Sequence, residues 1–374
     1  MIEKYYSGVI EQIYNRIGKE TRNIVMANYS NDFSIENLEV IRRYQSNEDN
    51  VFFAYSEFSY NTLVGAYEPF LDIICNMHRR FIGGSFDDFQ KECGVYYLHR
   101  QVLNSYYETG ECFREETVLL NEVAYEQRRM TMAIVDMLKR LSEVRPLMIV
   151  INRFHMASKS SIETIKYLID NPCANIGIVL GVNAMVKGTD STVEVWDRIV
   201  ESLEDRSAIY YIGSAGSLKN NIKNTNDDEL YITTNFEQSI QEASNIMEFL
   251  DFEQARRGCR IIEHKLKFED AWIDEKSLRR FYLVYARTCV LLGEMSKAIE
   301  LTNEYKALIP ENDSEHYLSL YYFMKGTCYM YQGKLEKAGN SAKSAYDYAV
   351  LAEDDTLIFK AELLSVMIKM SGWY

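Results

Sequence analysis

The chain has 374 residues, 47% of them hydrophobic, with only 4 Pro and 18 Gly, which excludes a collagen-like, low-complexity or broadly disordered polypeptide and favours two globular domains. Its net charge is −14, and both halves are acidic: 22 basic against 30 acidic residues up to position 215, and 19 against 25 after it. Neither half supplies the concentrated positive charge that binding to DNA, RNA or anionic lipid requires.

The amino-terminal MIEKYYSGVIEQIY carries charge and lacks a signal-peptide core, and no run of 18 uninterrupted apolar residues occurs, so a cytoplasmic protein is expected. The first half then alternates short apolar runs with longer amphipathic ones. Runs at 23–28, 51–58, 146–152, 176–183 and 208–213 are rich in Val, Ile, Phe and Tyr and too short for helices, and they read as buried parallel strands. Helices are expected at 34–45, after Ser34 as N-cap, at 63–81, at 115–142, after a Ser160 or Ser161 cap, and at 190–206. On 63–81 the residues Leu63, Tyr67, Phe70, Ile74, Met77 and Phe81 share one helical face. The fold class is therefore α/β with a five-stranded, mostly parallel sheet and a helical insertion at about 59–145, all within residues 1–215. Inside the insertion, FIGGSFDDF (81–89) is similar to a GGDEF signature, but its third residue is Ser85 and helices flank it. It reads as a Gly-Gly stop followed by a new helix starting at Ser85 or Asp87.

A polar stretch, 216–234, reads as a linker, and from 235 to 374 helical patterns follow one another. They repeat. Aligning Gly293 with Gly333 sets Ala298 on Ala338, Tyr282 on Tyr322 and Ala286 on Gly326, a spacing of 40 residues. Large, small, Gly and Ala positions in this order resemble the tetratricopeptide repeat, in which small residues let two antiparallel helices approach and Gly ends the first. Tyr305 departs from that pattern, where a small residue is usual. A weaker unit spans 236–268 with Ala255 in the Ala position, and a last, incomplete one begins near Leu357. That ending leads to the expectation that further sequence follows Tyr374.

The segment PLMIVINRFHMASKSSIETIKYL (146–168) poses the functional question, because its strand ends in Asn152-Arg153. The apolar strand, His155, Ala157 and the Ser-Ser before the helix resemble the signal-transduction ATPases with numerous domains, over about residues 20–215. The resemblance implies a P-loop ATPase-like domain joined to helical repeats. It also implies a phosphate loop after the first strand, carboxylates at the end of this one, and a phosphate-sensing residue at the position of Asn183. None of the first two sets is present. ANYSNDFSIEN (27–37) has no Gly and no Lys, leaving Ser30, Asn31 and Ser34 as the only polar candidates, and Asp32 would repel phosphate. Asn152 is a weak Mg²⁺ ligand, Arg153 cannot act as a base, and His155 has no Asp partner in sequence and reads as tying its loop to a backbone carbonyl. Asn183 reads first as a turn residue.

The expectation is a non-enzymatic regulatory module that needs no cofactor or metal: a pseudo-ATPase domain and a helical-repeat arm that docks a protein or peptide. Carrying over the repeat family's groove positions gives Arg280, Leu283, Arg287, Phe323, Thr327, Tyr331 and Lys369, with Phe323 and Tyr331 equally able to pack inside the array. The alternatives are a nucleotide sensor that binds ATP or ADP without hydrolysis, or the front end of a transcriptional regulator or diguanylate cyclase with its output domain beyond Tyr374. The seven scattered cysteines lack a CxxC and the five histidines lack an HExxH, so reduced thiols and no local zinc site are expected.

Overall fold

The computed structural model describes residues 2–29, 38–46, 50–59, 63–112, 122–183, 193–212, 236–268, 273–312 and 314–371. They divide into two compact units. The first holds the described residues up to Cys112, those from Ala124 to Ile212, and the short segment Glu248–Gln254; the second holds Glu122 and Val123 and the remaining described residues from Phe236 onward.

The first unit is an α/β domain built on one sheet in the order β2-β3-β4-β1-β5, with every pairing parallel. The strands are β1 (Ile24–Tyr29), β2 (Phe52–Glu57), β3 (Leu147–Asn152), β4 (Ile176–Asn183) and β5 (Ile209–Ile212). β3 and β4 lie inside the sheet and are buried at every residue, whereas edge strand β2 is half-buried throughout. This is why the central strands read as unbroken apolar runs: helices cover both of their faces.

A helix not anticipated from the sequence, α1 (Ile2–Arg16), covers β4. Its Tyr6, Val9, Ile10 and Ile13, with Ile17 just beyond, form a core with Val25, Ala27, Met148, Val150 and Val179. Two glycines make room for it. A Cβ on Gly177 would stand 2.8 Å from Ile17, and one on Gly181 would stand 2.5 Å from the Tyr6 hydroxyl. The four-residue spacing in IGIVLGVN puts both glycines on the face that α1 crosses.

Among the described residues, the connection between β2 and β3 holds the α-helices α3 (Phe70–Met77), α4 (Phe86–Glu92), α5 (Tyr97–Thr109) and α6 (Val123–Val144). The expected helix 63–81 is shorter at its start. Residues 66–69 form a turn, Tyr67 has φ of 57°, and α3 begins only after Pro69, because proline lacks an N–H and disfavours helical geometry in the residue before it. Past α3 a five-residue π-turn, His78–Ile82, ends at Gly83 and Gly84, both at positive φ. Ser85 then caps α4 by accepting from the Asp88 N–H at 3.2 Å, as the helix-stop reading anticipated. Helix α2 (Glu39–Ser46) follows β1, and α8 (Val193–Glu204) precedes β5. Helix α7 (Lys159–Asp170) is capped by Ser158, not by Ser160 or Ser161 as expected. A 3-10 turn at Phe154–Met156 brings the chain into the helix two residues early, so those serines fall in its first turn.

The second unit is all helical: α9 (Phe236–Glu248), α10 (Phe252–Phe268), α11 (Glu275–Leu291), α12 (Met295–Ala307), α13 (Glu315–Tyr331), α14 (Leu335–Leu351) and α15 (Asp355–Ser371). Helices α11, α13 and α15 each have 17 residues and begin 40 apart, and the starts of α12 and α14 are also 40 apart. Gly293 (φ 77°) and Gly333 (φ 71°) turn the first helix of each pair into the second. At both turns the N–H after the glycine reaches the carbonyl five residues back, Glu294 to Cys289 at 2.8 Å and Lys334 to Tyr329 at 2.9 Å. Ala298 and Ala338 are fully buried, and so is Tyr305, the departure from the repeat pattern. The linker 216–234 lies outside the described residues. Among the described residues no helix is long and apolar enough to cross a membrane.

Candidate functional site

In open parallel sheets ligands bind beyond the carboxyl ends of the strands. Four of the nucleotide-site positions named from sequence are placed there: Asn152 at the end of β3, Arg153 and His155 in the turn after it, and Asn183 at the end of β4. Ser30, Asn31 and Ser34 lie outside the described residues.

Asn152 is fully buried. Its Oδ1 accepts the Tyr29 hydroxyl from the end of β1 at 3.0 Å, across the intervening β4. This contact passes over Gly181, where an added Cβ would stand 2.7 Å from Asn152 Oδ1. Tyr6 comes in from α1 to the same point. Burial, then the neighbouring Tyr29 and Glu57, push its phenol well above the ordinary tyrosine range, so it stays a neutral hydroxyl. The space over β4 is thus filled by two phenols and an amide.

Arg153 sits in the left-handed region (φ 53°, ψ 38°), which turns its side chain across the sheet edge. Its Nη1 lies 3.0 Å from Glu57 Oε1 and donates to the Phe58 carbonyl at 3.3 Å. Glu57 ends β2 directly beside Asn152 in register and also accepts the Tyr55 hydroxyl. A strand-end carboxylate is therefore present one strand away and is held by a guanidinium. Phe58 is buried and faces Phe154, with ring centres 6.4 Å apart.

His155 is buried, and its Nδ1 accepts the Asn183 backbone N–H at 3.2 Å. It ties the loop after β3 to the end of β4, through a backbone amide rather than the expected carbonyl. An accepting Nδ1 places the ring proton on Nε2. Beyond it, the start of α7 is closed by an acid. The Ser160 N–H donates to Asp251 Oδ2 at 3.0 Å, while the Ser160 hydroxyl accepts from the Tyr67 N–H and the Ser161 hydroxyl donates to the Glu68 carbonyl. Burial raises the Asp251 carboxyl despite the Ser160 hydrogen bonds, which pull the other way. Among the described residues no group of three or more His, Cys, Asp or Glu is arranged to hold a metal ion.

The helical unit carries the other named positions. Arg280, Leu283 and Arg287 lie on α11, and Phe323, Thr327 and Tyr331 on α13. The 40-residue period aligns Leu283 with Phe323 and Arg287 with Thr327, so these form matching rows on successive first helices. Lys369 on α15 stands outside them, because the same period aligns it with Tyr329 and Cys289. Arg280 is exposed and donates to Gln241, whereas Phe323 and Tyr331 pack partly against a cluster of Met330, Ala338, Ala342, Leu364 and Ile368.

A pocket of about 560 Å³ opens beside these rows' unit-mates, lined by Arg260, Glu263, Tyr285 and the α11–α12 turn through Lys297. Burial alone would raise the Glu263 carboxyl, but hydrogen bonds from Lys267 at 2.9 Å and Lys297 at 3.1 Å hold it below the usual carboxylate range. Sequence reasoning missed this pocket, and it missed Tyr6, Tyr29, Glu57 and Gly181, because each depends on partners distant in the chain. No protein-family model, curated protein or solved structure matches the chain.

Proposed function

We propose that this chain is a non-catalytic regulatory module: a pseudo-ATPase domain of the kind found in signal-transduction ATPases with numerous domains, joined to a tetratricopeptide-like arm that docks a protein or peptide. In the ATPases it resembles, the phosphate loop follows the first strand and the acidic pair ends the third. In the order β2-β3-β4-β1-β5 these two strands flank β4, about 10 Å apart at the usual strand spacing, so one triphosphate over β4 could reach both. The observation that carries the reading is what occupies that position instead. Asn152 holds the Tyr29 hydroxyl in a fully buried contact, and Arg153 neutralises Glu57. A phosphate there would have to displace buried groups, and a magnesium ion would find its nearest acid already paired.

For the arm, the paired helices with their glycine turns, and the rows containing Arg287 and Thr327, support docking of an extended or acidic peptide. The test is direct. Full-length protein with about 5 mM Mg·ATP or Mg·ADP should show no rise in melting temperature, since a ligand that binds only the native state must raise it. It should also release no phosphate at the roughly 1 s⁻¹ or faster typical of enzymes. A melting shift without turnover would favour a nucleotide sensor, and turnover would overturn the proposal.

A further inference from the structure

Because α15 begins 40 residues after α13, each of its residues can be compared with the α13 residue numbered 40 lower. On α13, the face toward α14 includes Ser319, Gly326 and Met330. The Ser319 hydroxyl donates to the Ala345 carbonyl at 2.9 Å, a Cβ on Gly326 would stand 3.0 Å from Leu364 Cδ2 of α15 and 3.3 Å from Ser341 Cβ of α14, and Met330 is buried with Ala338, Ala342, Leu364 and Ile368. The matching α15 residues are Phe359, Val366 and Met370. With Leu363 they are 60%, 51%, 64% and 39% exposed. The opposite face of α15, with Leu357, Ala361, Leu364 and Ile368, is buried. Thus α15 exposes a continuous apolar stripe on the face where α13 receives α14.

We propose that this stripe is a homodimer contact in which the α15 helices of two copies pack antiparallel about a two-fold axis. Three features select a second copy as the occupant. The stripe has 4-3-4 spacing, the seam of a coiled coil, and it reads identically in both directions: the pairs 359/370 and 363/366 share a midpoint between residues 364 and 365. Antiparallel pairing therefore sets Phe359 opposite Met370 and Leu363 opposite Val366 of the other copy. Secondly, at 100° per residue Glu362 and Lys369 fall on one flank of the stripe, 20° apart, and both are exposed. The two-fold axis brings Glu362 of each copy beside Lys369 of the other, giving two attractive pairs. Thirdly, Ser319, which faces α14, and Gly326, which faces both α14 and α15, are replaced by Phe359 and Val366. These larger side chains favour a wider helix separation, and interdigitated large side chains suit that of a coiled coil.

Sedimentation of the full-length chain over a concentration series tests the contact. A dimer is expected at up to about 100 μM. Val366→Asp should be monomeric with unchanged circular dichroism. Glu362→Lys should weaken the dimer about tenfold, the scale of two exposed ion pairs turned repulsive, and Glu362→Lys/Lys369→Glu should restore it to within about twofold. A wild-type chain that is monomeric throughout overturns the proposal. A dimer that persists in folded Val366→Asp, or a double variant no tighter than Glu362→Lys, overturns it as well. Should Val366→Asp fail to fold, the charge exchange decides alone, since both residues are exposed and lie outside the buried face of α15.

Discussion

Replacing Gly181 by alanine tests whether the carboxyl edge of the sheet is closed by its own side chains. The new Cβ would stand 2.5 Å from the Tyr6 hydroxyl oxygen, 2.7 Å from Asn152 Oδ1 and 3.4 Å from Asn152 Cα, where ordinary contact between carbon atoms needs about 3.5 Å or more. Neither neighbour yields easily. Tyr6 is a rigid ring fixed to α1, Asn152 accepts the Tyr29 hydroxyl, and both are fully buried. Overpacking a well-filled core costs about 1–3 kcal/mol, and losing the Tyr29–Asn152 bond adds about 1 kcal/mol. The expected loss is therefore about 2–4 kcal/mol, against the gain of roughly 0.5–1 kcal/mol that Gly→Ala brings in an unobstructed strand. Hydrogen exchange of the β1 and β4 segments reads this locally, and protection there should fall between about 30- and 1,000-fold. Tyr6→Phe removes the nearest atom, so Gly181→Ala should cost less in that background, with a coupling of at least about 1 kcal/mol. Unchanged protection, or additivity within about 0.5 kcal/mol, would mean that space over β4 is open, as a phosphate site requires.

Two further substitutions follow from the same geometry. Glu353 occupies the left-handed position after α14 (φ 53°) that glycine fills at 293 and 333, with the Asp354 N–H reaching the Ala349 carbonyl; Glu353→Gly should stabilise the helical unit by about 0.5–1 kcal/mol in urea denaturation. Asp251 is buried with a raised carboxyl pKa, so the folded state favours its neutral form: its contribution is full below the unfolded value near 4 and is lost as pH rises through the folded value. Asp251→Asn, which can still accept from the Ser160 N–H, should therefore gain on the wild type in thermal melts as pH goes from about 4 to 7, and a pH-independent difference would refute this.

The strands were legible because burial on both faces leaves an unambiguous mark in the sequence, a run of apolar residues too short for a helix. The 40-residue period was legible through its glycines and alanines, which mark turns and close approaches. Helix α1 was overlooked although Tyr6, Ile10, Ile13 and Ile17 carry helical spacing, since a charged amino-terminal stretch was weighed only as a targeting signal. Pro69 was passed over for the same reason in reverse: the apolar face of 63–81 was persuasive, yet one imide nitrogen stops a helix whatever its periodicity. The site itself was half legible. Asn152 and Arg153 stand out against the family pattern, but their partners follow from strand order, which local patterns do not encode. Tyr29 and Asn152 are 123 residues apart, and Glu57 meets Arg153 only because β2 and β3 are neighbours.

Asn152→Asp tests whether the end of β3 can hold a magnesium ion. The substitution restores the residue type expected at this strand end and nearly preserves volume. In a working magnesium site the new carboxylate would be stabilised by metal and water. Here it would be fully buried, with the Tyr29 hydroxyl as hydrogen-bond donor and Glu57 as its cross-strand neighbour, while Arg153 is already engaged by Glu57. A buried charge so poorly compensated should cost about 3 kcal/mol at neutral pH. The deficit should shrink as pH falls from neutral through the raised pKa of the new group, which lies above the ordinary carboxylate range, because burial beside another acid favours the protonated form and the folded state accepts it once protonated. Thermal melts of wild type and variant from pH 4 to 7, with and without about 10 mM Mg²⁺, separate the two cases. If the pocket has been rebuilt around the amide, magnesium leaves the deficit untouched. Rescue of Asn152→Asp by the cation would show that this strand end has a geometry able to hold it, and the proposed non-catalytic reading would then rest on a single side chain.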